Sequence, residues 1–395
     1  MIETMKRRVA LLTNILPHYR IPLLIAVGKL VGELKVFLSA RMERDRAWPV
    51  YWGALDVVVQ RSLSWRRHFR NIHGYRDSSQ IHVPYDTLFQ LWRYKPEVVV
   101  SGEFGTRTAM ATVYRILFPK TVLIVWATLS ERTEATRGRL RVLLRRWILQ
   151  RVDGAFVNGR SGAAYLRSLG FTGPTVTVPY IVDNAAFAPA SKMHPRPMRR
   201  LLHSGQLIER KGMHLFLPVL GEWCKDHPQS SVSLRLVGDG PERNRIEQME
   251  LPANLNIEMT GNVPPASLPE CYRDASIFVF PTLGDEWGTV VNEALCSGLP
   301  VLGSVYSQAV EELIREGKNG WVFNPVDPRD AYGALDRALA ADGEMLEAMS
   351  GNAQASIAAL TPEAVAATMA EAIQALWNRK HPDEPAAALE NRCAS

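Results

Sequence analysis

The sequence predicts an α/β protein made of two doubly wound domains, and three observations carry that expectation. The chain has 395 residues, more than a single hydrophobic core usually organises. Short apolar runs alternate with longer stretches of helical spacing, the pattern of βαβ units and parallel sheets. That pattern runs through the first half and restarts near residue 200.

In the first half the runs read as strands lie at 9–12, 34–38, 98–100, 122–126 and 154–157, and each is expected to lead into a helix. In the second half they lie at 200–203, 233–237, 257–260, 277–280 and 300–302. Between them, 188–197 (APASKMHPRP) is rich in proline and reads as a linker, giving domains at 1–187 and 198–360. Thr361-Pro362-Glu363 has the threonine cap and first-turn proline of a helix start. This helix is expected over 361–380, crossing back to the first domain, and the polar residues after it read as a frayed tail. Residues 5–16 put basic residues ahead of a short apolar run, but with no small-residue cleavage site the segment reads as a buried first strand. No run is long enough to span a membrane, so any membrane contact is expected to be peripheral.

The net charge of +6 conceals an asymmetry. Through Asp183 there are 28 basic and 13 acidic residues, and beyond it 18 basic and 27 acidic. A basic first half suits nucleic acid, an anionic membrane or a phosphorylated substrate. The acidic second half and the lack of a nucleic-acid module weigh against nucleic acid. Residues 138–151 concentrate the charge. Leu140, Leu143, Leu144, Trp147 and Ile148 share a helical stripe, and Arg139, Arg141, Arg145, Arg146 and Arg151 occupy the remaining surface. The stripe is expected to pack on the core, with an anionic surface as the alternative use of the helix. Cys224, Cys271, Cys296 and Cys393 have no paired spacing, which suggests neither a disulfide framework nor a zinc site and fits a reducing, cytoplasmic setting.

The densest chemistry lies at 278–303, FVFPTLGDEWGTVVNEALCSGLPVLG. A buried strand ends at Pro281, a turn-rich loop follows, and Gly288, Thr289 and Val290 open a helix. Unpaired N–H groups and the positive dipole end at such a start favour a diphosphate. Asp285 and Glu293 bracket this cradle, one in the loop and one inside the helix, where each carboxylate can accept paired hydroxyls of a sugar or ribose. Upstream, Ser204-Gly205 turns the chain after a strand, and Lys211 could bring a point charge to a leaving diphosphate. LVGDGP at 236–241 has Arg243 where a dinucleotide fingerprint needs glycine, so hydride chemistry loses support. Glu103 and Glu131 follow strands of the first domain, at the carboxyl edge where open α/β sheets bind ligands, and His18 lies at the turn after the first strand, so the three are candidates for lining a cleft. No DxD triplet or ligand cluster calls for a metal.

From 201 to 328 the chain resembles the C-terminal domain of glycosyltransferase family 4, retaining enzymes of the GT-B fold. The resemblance rests on GQLIERKG, LVGDGP, FVFPTLGDEWGTVVNEALCSGLPV and EGKNGWVF, in that order. NILPHYRIPLL, the run 152–158 and VPYIVDNAAF extend it more loosely into the first half. It implies two Rossmann-like domains facing across a cleft, a nucleotide diphosphate sugar as co-substrate, and no cofactor or metal.

The resemblance further implies that Glu293 binds the donor ribose, that Asp285 contacts the transferred sugar, and that Lys211, Gly205, Gly288, Thr289 and Val290 surround the diphosphate. Asp285 stands where glutamate is usual, with Glu286 as its rival. Gln206 stands where the family has an arginine, which leaves phosphate neutralisation to Lys211 with help from Arg210. The expected reaction is sugar transfer to a carbohydrate or lipid-linked hydroxyl acceptor, in polysaccharide, lipopolysaccharide or glycolipid synthesis. The competing expectations are an epimerase or hydrolase of the same fold and a non-catalytic sugar-nucleotide-binding subunit.

Overall fold

The computed structural model describes residues 5–43, 50–71, 74–134, 138–188 and 199–383. The described chain forms two compact units. Unit 1 gathers Met1–His68, Ser78–Ile181 and Pro362–Ser395, and unit 2 gathers Phe69–Asp77 and Val182–Thr361. The boundary thus falls ahead of the proline-rich stretch, of which 189–197 lies outside the described residues. Asn184–Phe187 forms a short helix that belongs with unit 2. Phe187 sets its ring edge-on to Tyr272 at 5.5 Å, and the Ser297 hydroxyl donates to its carbonyl at 3.1 Å.

In chain order the strands are β1 (Arg7–Thr13), β2 (Gly32–Leu38), β3 (Asp56–Val59), β4 (Ser62–Arg70), β5 (Arg76–Pro84), β6 (Val98–Gly102), β7 (Val122–Ala127), β8 (Gly154–Val157), β9 (Thr175–Thr177), β10 (Arg200–Ser204), β11 (Val232–Val237), β12 (Leu255–Gly261), β13 (Ile277–Phe280), β14 (Val301–Ser304) and β15 (Gly320–Phe323). Unit 1 is organised by a seven-stranded sheet in the order β3-β2-β1-β6-β7-β8-β9, and unit 2 by a six-stranded sheet in the order β12-β11-β10-β13-β14-β15. All the pairs in both sheets are parallel. In each the order reverses beside the first strand of the unit, the switch point at which doubly wound sheets open a crevice.

Every strand expected from the apolar runs forms. The expectation that each leads into a helix fails after β2, where the described residues lead instead to β3 and the two-stranded β4–β5 ribbon. β4 is exposed along most of its length, so it presents no apolar run to recognise.

Unit 2 packs the Met213–Asp226 and Pro328–Leu339 helices on one face of its sheet, with Phe216, Trp223, Trp321 and Phe323 at the centre of the core. In unit 1 the Pro362–Lys380 helix lies against the Ile21–Val31 helix and buries Val365, Met369, Ile373 and Trp377. Among the described residues no helix is long and apolar enough to cross a membrane.

The Arg139–Leu149 helix departs from its expected orientation. Arg145 points inward and donates to Glu134 at 2.6 Å and to the Tyr165 hydroxyl, while Ile148 and Leu149 are buried beside it. That ion pair fixes the rotation of the helix and turns the leucine stripe outward, with Leu140 84% and Leu143 59% exposed. The three leucines therefore face away from the core, whereas Trp147 and Ile148 of the same stripe pack on it as expected.

Candidate active site

The site in unit 2 grows from the carboxyl ends of β10 and β13, neighbours at the switch point. After β10 the chain turns through Gly205 and exposed Gln206 into a single helical turn, Glu209–Lys211. Gly212 ends that turn with φ +74°, and a Cβ there would overlap the carbonyl oxygen of Pro281. Glycine at this position lets the Lys211 loop sit directly on the end of β13.

Lys211 Nζ donates to Asp285 Oδ2 at 2.7 Å, and an Arg210 guanidinium nitrogen reaches the same oxygen at 3.3 Å. Arg210 also donates to the Gly284 carbonyl at 3.0 Å. Burial raises the Asp285 pKa, but the Lys211 and Arg210 charges outweigh it and hold the carboxylate below its ordinary value. Asp285 Oδ1 accepts from the Trp287 N–H at 3.4 Å, so both of its oxygens are engaged. Glu286, its rival, is exposed, and its carbonyl accepts from the Gln308 amide at 2.7 Å. Asp285 is the acid that the fold directs toward Lys211.

The Thr289–Cys296 helix starts at Gly288, whose φ is +100°. A Cβ at Gly288 would lie 2.7 Å from the Phe280 ring, so a larger residue would push the helix start away from β13. Trp287 braces the start from inside, its indole N–H donating to Asn292 at 2.8 Å, and Ser307 donates to the Trp287 carbonyl at 2.6 Å. The first N–H groups, at Thr289 and Val290, fall at the end where a helix lacks internal acceptors.

Glu293 lies one turn further along. Its Oε2 accepts from the Tyr272 hydroxyl at 2.7 Å, and Tyr272 is also hydrogen-bonded to Ser204 at the end of β10. Burial pushes the Glu293 carboxyl up to about 7, against the lowering effect of the Tyr272 hydrogen bond. Gly205 borders both parts of the site, with Lys211 Cε 3.8 Å from the position a Cβ would take. The fold therefore brings Gly205, Arg210, Lys211, Asp285, Gly288 and Glu293 into one contiguous set. Tyr272 is the member that sequence reasoning missed: it lies 21 residues from Glu293, and nothing in the local pattern marks it.

The candidates in unit 1 separate. Glu103 directly follows β6 with φ +61°, and its Oε1 accepts from the Thr128 N–H at 3.1 Å and from the Thr128 hydroxyl. Burial raises its pKa, opposed by the Thr128 bonds and by Arg107 and Arg20. Arg20, missed in the sequence, stacks 4.6 Å from the centres of both the Trp126 and Tyr180 rings and donates to the Tyr180 hydroxyl at 2.6 Å. Arg107 is buried and donates to the Gly102 carbonyl at 2.8 Å and to Ser39 at 3.1 Å. His18 and Glu131 are exposed, and Glu131 stands on a short helix beyond β7. Among the described residues no His, Cys, Asp and Glu side chains cluster as metal ligands.

Part of the sequence and the fold are similar to those of glycosyltransferases. Residues 188–356, which fall within unit 2, match the family model of glycosyl transferases group 1. Among curated proteins the chain is 29% identical over 176 residues to sulfoquinovosyl transferase SQD2 of Arabidopsis thaliana, covering 42% of this chain and 33% of that one. It is 28% identical over 180 residues to D-inositol 3-phosphate glycosyltransferase of Acidothermus cellulolyticus, covering 41% and 40%. The chain thus spans well under half of these relatives' lengths. Among solved structures, sucrose-phosphate synthase of Thermosynechococcus elongatus superposes with a TM-score of 0.69 at 19% identity, over 94% of this chain and 100% of that one. Anabaena HepE in complex with UDP superposes with a TM-score of 0.68 at 14% identity, over 93% and 100%. The fold is GT-B.

Proposed function

We propose that the chain is a retaining glycosyltransferase of family 4 that moves a sugar from a nucleoside diphosphate sugar to a hydroxyl acceptor. The observation that carries the reading is the convergence of Lys211 and Arg210 on Asp285 beside the Gly288 helix start, with Glu293 one turn further along.

The roles follow from the chemistry. As the bond from the anomeric carbon to the diphosphate lengthens, negative charge grows on the departing oxygens. Lys211 and the N–H groups of Thr289 and Val290 stabilise that charge, and because they are already oriented they need not reorganise during the reaction. Arg210 supplies the second cation that Gln206 cannot. Asp285 holds Lys211 in place before the donor arrives and then accepts hydroxyls of the transferred sugar. Glu293, once ionised, accepts the two ribose hydroxyls. No step requires a metal.

The first unit is proposed to hold the acceptor, with Glu103 and His18 at its carboxyl edge. A phosphorylated or lipid-linked acceptor suits its excess of basic residues. The names of curated relatives that act on D-inositol 3-phosphate and phosphatidylinositol favour that class. Such an enzyme works in the cytoplasm, on the inner face of a membrane.

A thermal-shift series with UDP-, GDP- and ADP-sugars tests the donor site. One nucleotide class is expected to raise the midpoint of the wild type, and Glu293→Ala to lose most of that rise. Failure of every donor to shift the wild type would remove the basis of the proposal.

A further inference from the structure

Three helices of unit 1 form a continuous layer: Thr87–Tyr94 packs on Thr106–Leu117, which packs on Arg139–Leu149. Together they carry seven arginines, of which Arg107 and Arg145 are buried, and no aspartate or glutamate. They also expose large apolar side chains. Trp92 is 57% and Leu117 64% exposed, grouped with Phe89 and Phe118, and the third helix of the layer exposes Leu140, Leu143 and Leu144. Side chains of this size are usually covered when several adjoin. The leucine stripe faces outward because Arg145 is held inward by Glu134, so its exposure is built into the fold.

The same layer borders a basic cavity of about 830 Å3, lined by Arg115, Arg146, Arg167, Arg379, Lys380 and a single carboxylate, Asp153. Asp153 already pairs with Lys380 at 2.8 Å and with Arg115 at 3.5 Å. Arg146, Arg167 and Arg379 remain as a cationic lining around it. The cavity and the apolar surface share two elements. Arg115 precedes exposed Ile116 and Leu117 on one helix, and Arg146 follows Leu143 and Leu144 on another.

We propose that this layer is a membrane-docking surface, with the leucines and neighbouring aromatics entering the acyl boundary and the Arg146–Arg167–Arg379 cavity receiving the phosphate of an anionic phospholipid headgroup. The inference deepens the membrane-associated reading given above, and its readout does not depend on catalysis. Charge selects the occupant. An apolar face bordered by cations, on helices that carry no acid, complements an anionic lipid leaflet, whereas a second copy of the chain would bring arginines against arginines.

Flotation of the full chain with vesicles of phosphatidylcholine and phosphatidylglycerol in equal parts, against phosphatidylcholine alone, tests it. The wild type is expected to bind the anionic vesicles, and to bind them less as salt rises from about 0.1 M to about 1 M and the screening length falls to about 3 Å. Leu140→Gln combined with Leu143→Gln and Leu144→Gln should reduce partition by about tenfold or more, since burial of acyl-facing side chains is lost. Arg146→Gln combined with Arg167→Gln and Arg379→Gln should abolish the preference for phosphatidylglycerol and leave a residual, salt-insensitive binding. All the changed residues except Leu144 are well exposed, and an unchanged thermal midpoint verifies that each variant folds. Absence of wild-type binding, or leucine variants that bind like the wild type, would overturn the proposal. So would a wild-type dimer that the leucine changes dissolve, or a cavity that binds glycerol phosphate in solution while the chain ignores vesicles. A donor-induced thermal shift that survives any of these results leaves the transferase reading standing.

Discussion

The carboxyl edges of the two sheets hold charge in opposite ways. In unit 2 the edge carries two cations on one carboxylate, Lys211 and Arg210 on Asp285, at the mouth of a helix start. In unit 1 the edge carries Arg20 and Arg107 beside Glu103, but each is tied into carbonyls, hydroxyls or ring faces of its own unit. Ion pairs at a helix start can exchange partners with an incoming anion, whereas cations bonded to backbone carbonyls are part of the scaffold. On the proposed reading, the contrast separates cations placed to meet a ligand from cations that serve the fold.

The largest expected effect follows directly. Lys211→Ala should lower kcat by about 10²–10³-fold, the range for losing one preorganised charge-stabilising group, with a much smaller change in thermal midpoint. Steady-state kinetics and melting of the same variant check both halves, and a loss confined to stability would break the contrast. Arg107→Ala tests the other edge. It strips the Gly102 carbonyl of its closer donor and Ser39 of its Arg107 bond, and should cost about 2–4 kcal/mol of unfolding free energy in a denaturant titration, while donor-induced stabilisation persists.

The smallest effect is a pH dependence. The Glu293 pKa of about 7 in the fold lies above its unfolded value, which is about 4.3. Between those values the folded chain keeps a proton that the unfolded chain has released, so the Glu293 contribution makes stability fall as pH rises through this window and level off above it. Glu293→Gln should flatten that slope in melting curves. Because an ionised carboxylate is the better acceptor for ribose hydroxyls, donor affinity in the wild type should rise over the same window and in the variant should not.

These regions were unequally legible in the sequence. The strands of unit 2 and the Gly288 helix start could be read because each is local: an apolar run, a glycine, then helical spacing. The pairing of Lys211 with Asp285 spans 74 residues and depends on Gly212 seating one loop on the end of β13, so spacing could nominate both residues but not join them. Tyr272 gave no signal, since its role exists only once the fold brings Ser204 and Glu293 onto its hydroxyl. The Arg139–Leu149 helix shows a different limit. Its periodicity was plain, but periodicity does not say how much of a stripe faces inward, and a buried Arg145–Glu134 pair accompanies leucines turned outward while Trp147 and Ile148 keep to the core.

The return of the Pro362–Lys380 helix to unit 1 sets the order in which the chain can complete itself during synthesis. Unit 2 occupies a nearly continuous stretch, Val182–Thr361, inserted before the last helix of unit 1. Its sheet can close while the end of the chain is still being made. Unit 1, although its strands emerge first, must wait with the face of its Ile21–Val31 helix uncovered until Val365, Met369, Ile373 and Trp377 arrive. The half of the molecule translated first is therefore the half that finishes last, and for that interval an apolar helix face stands open to chaperones and to neighbouring chains.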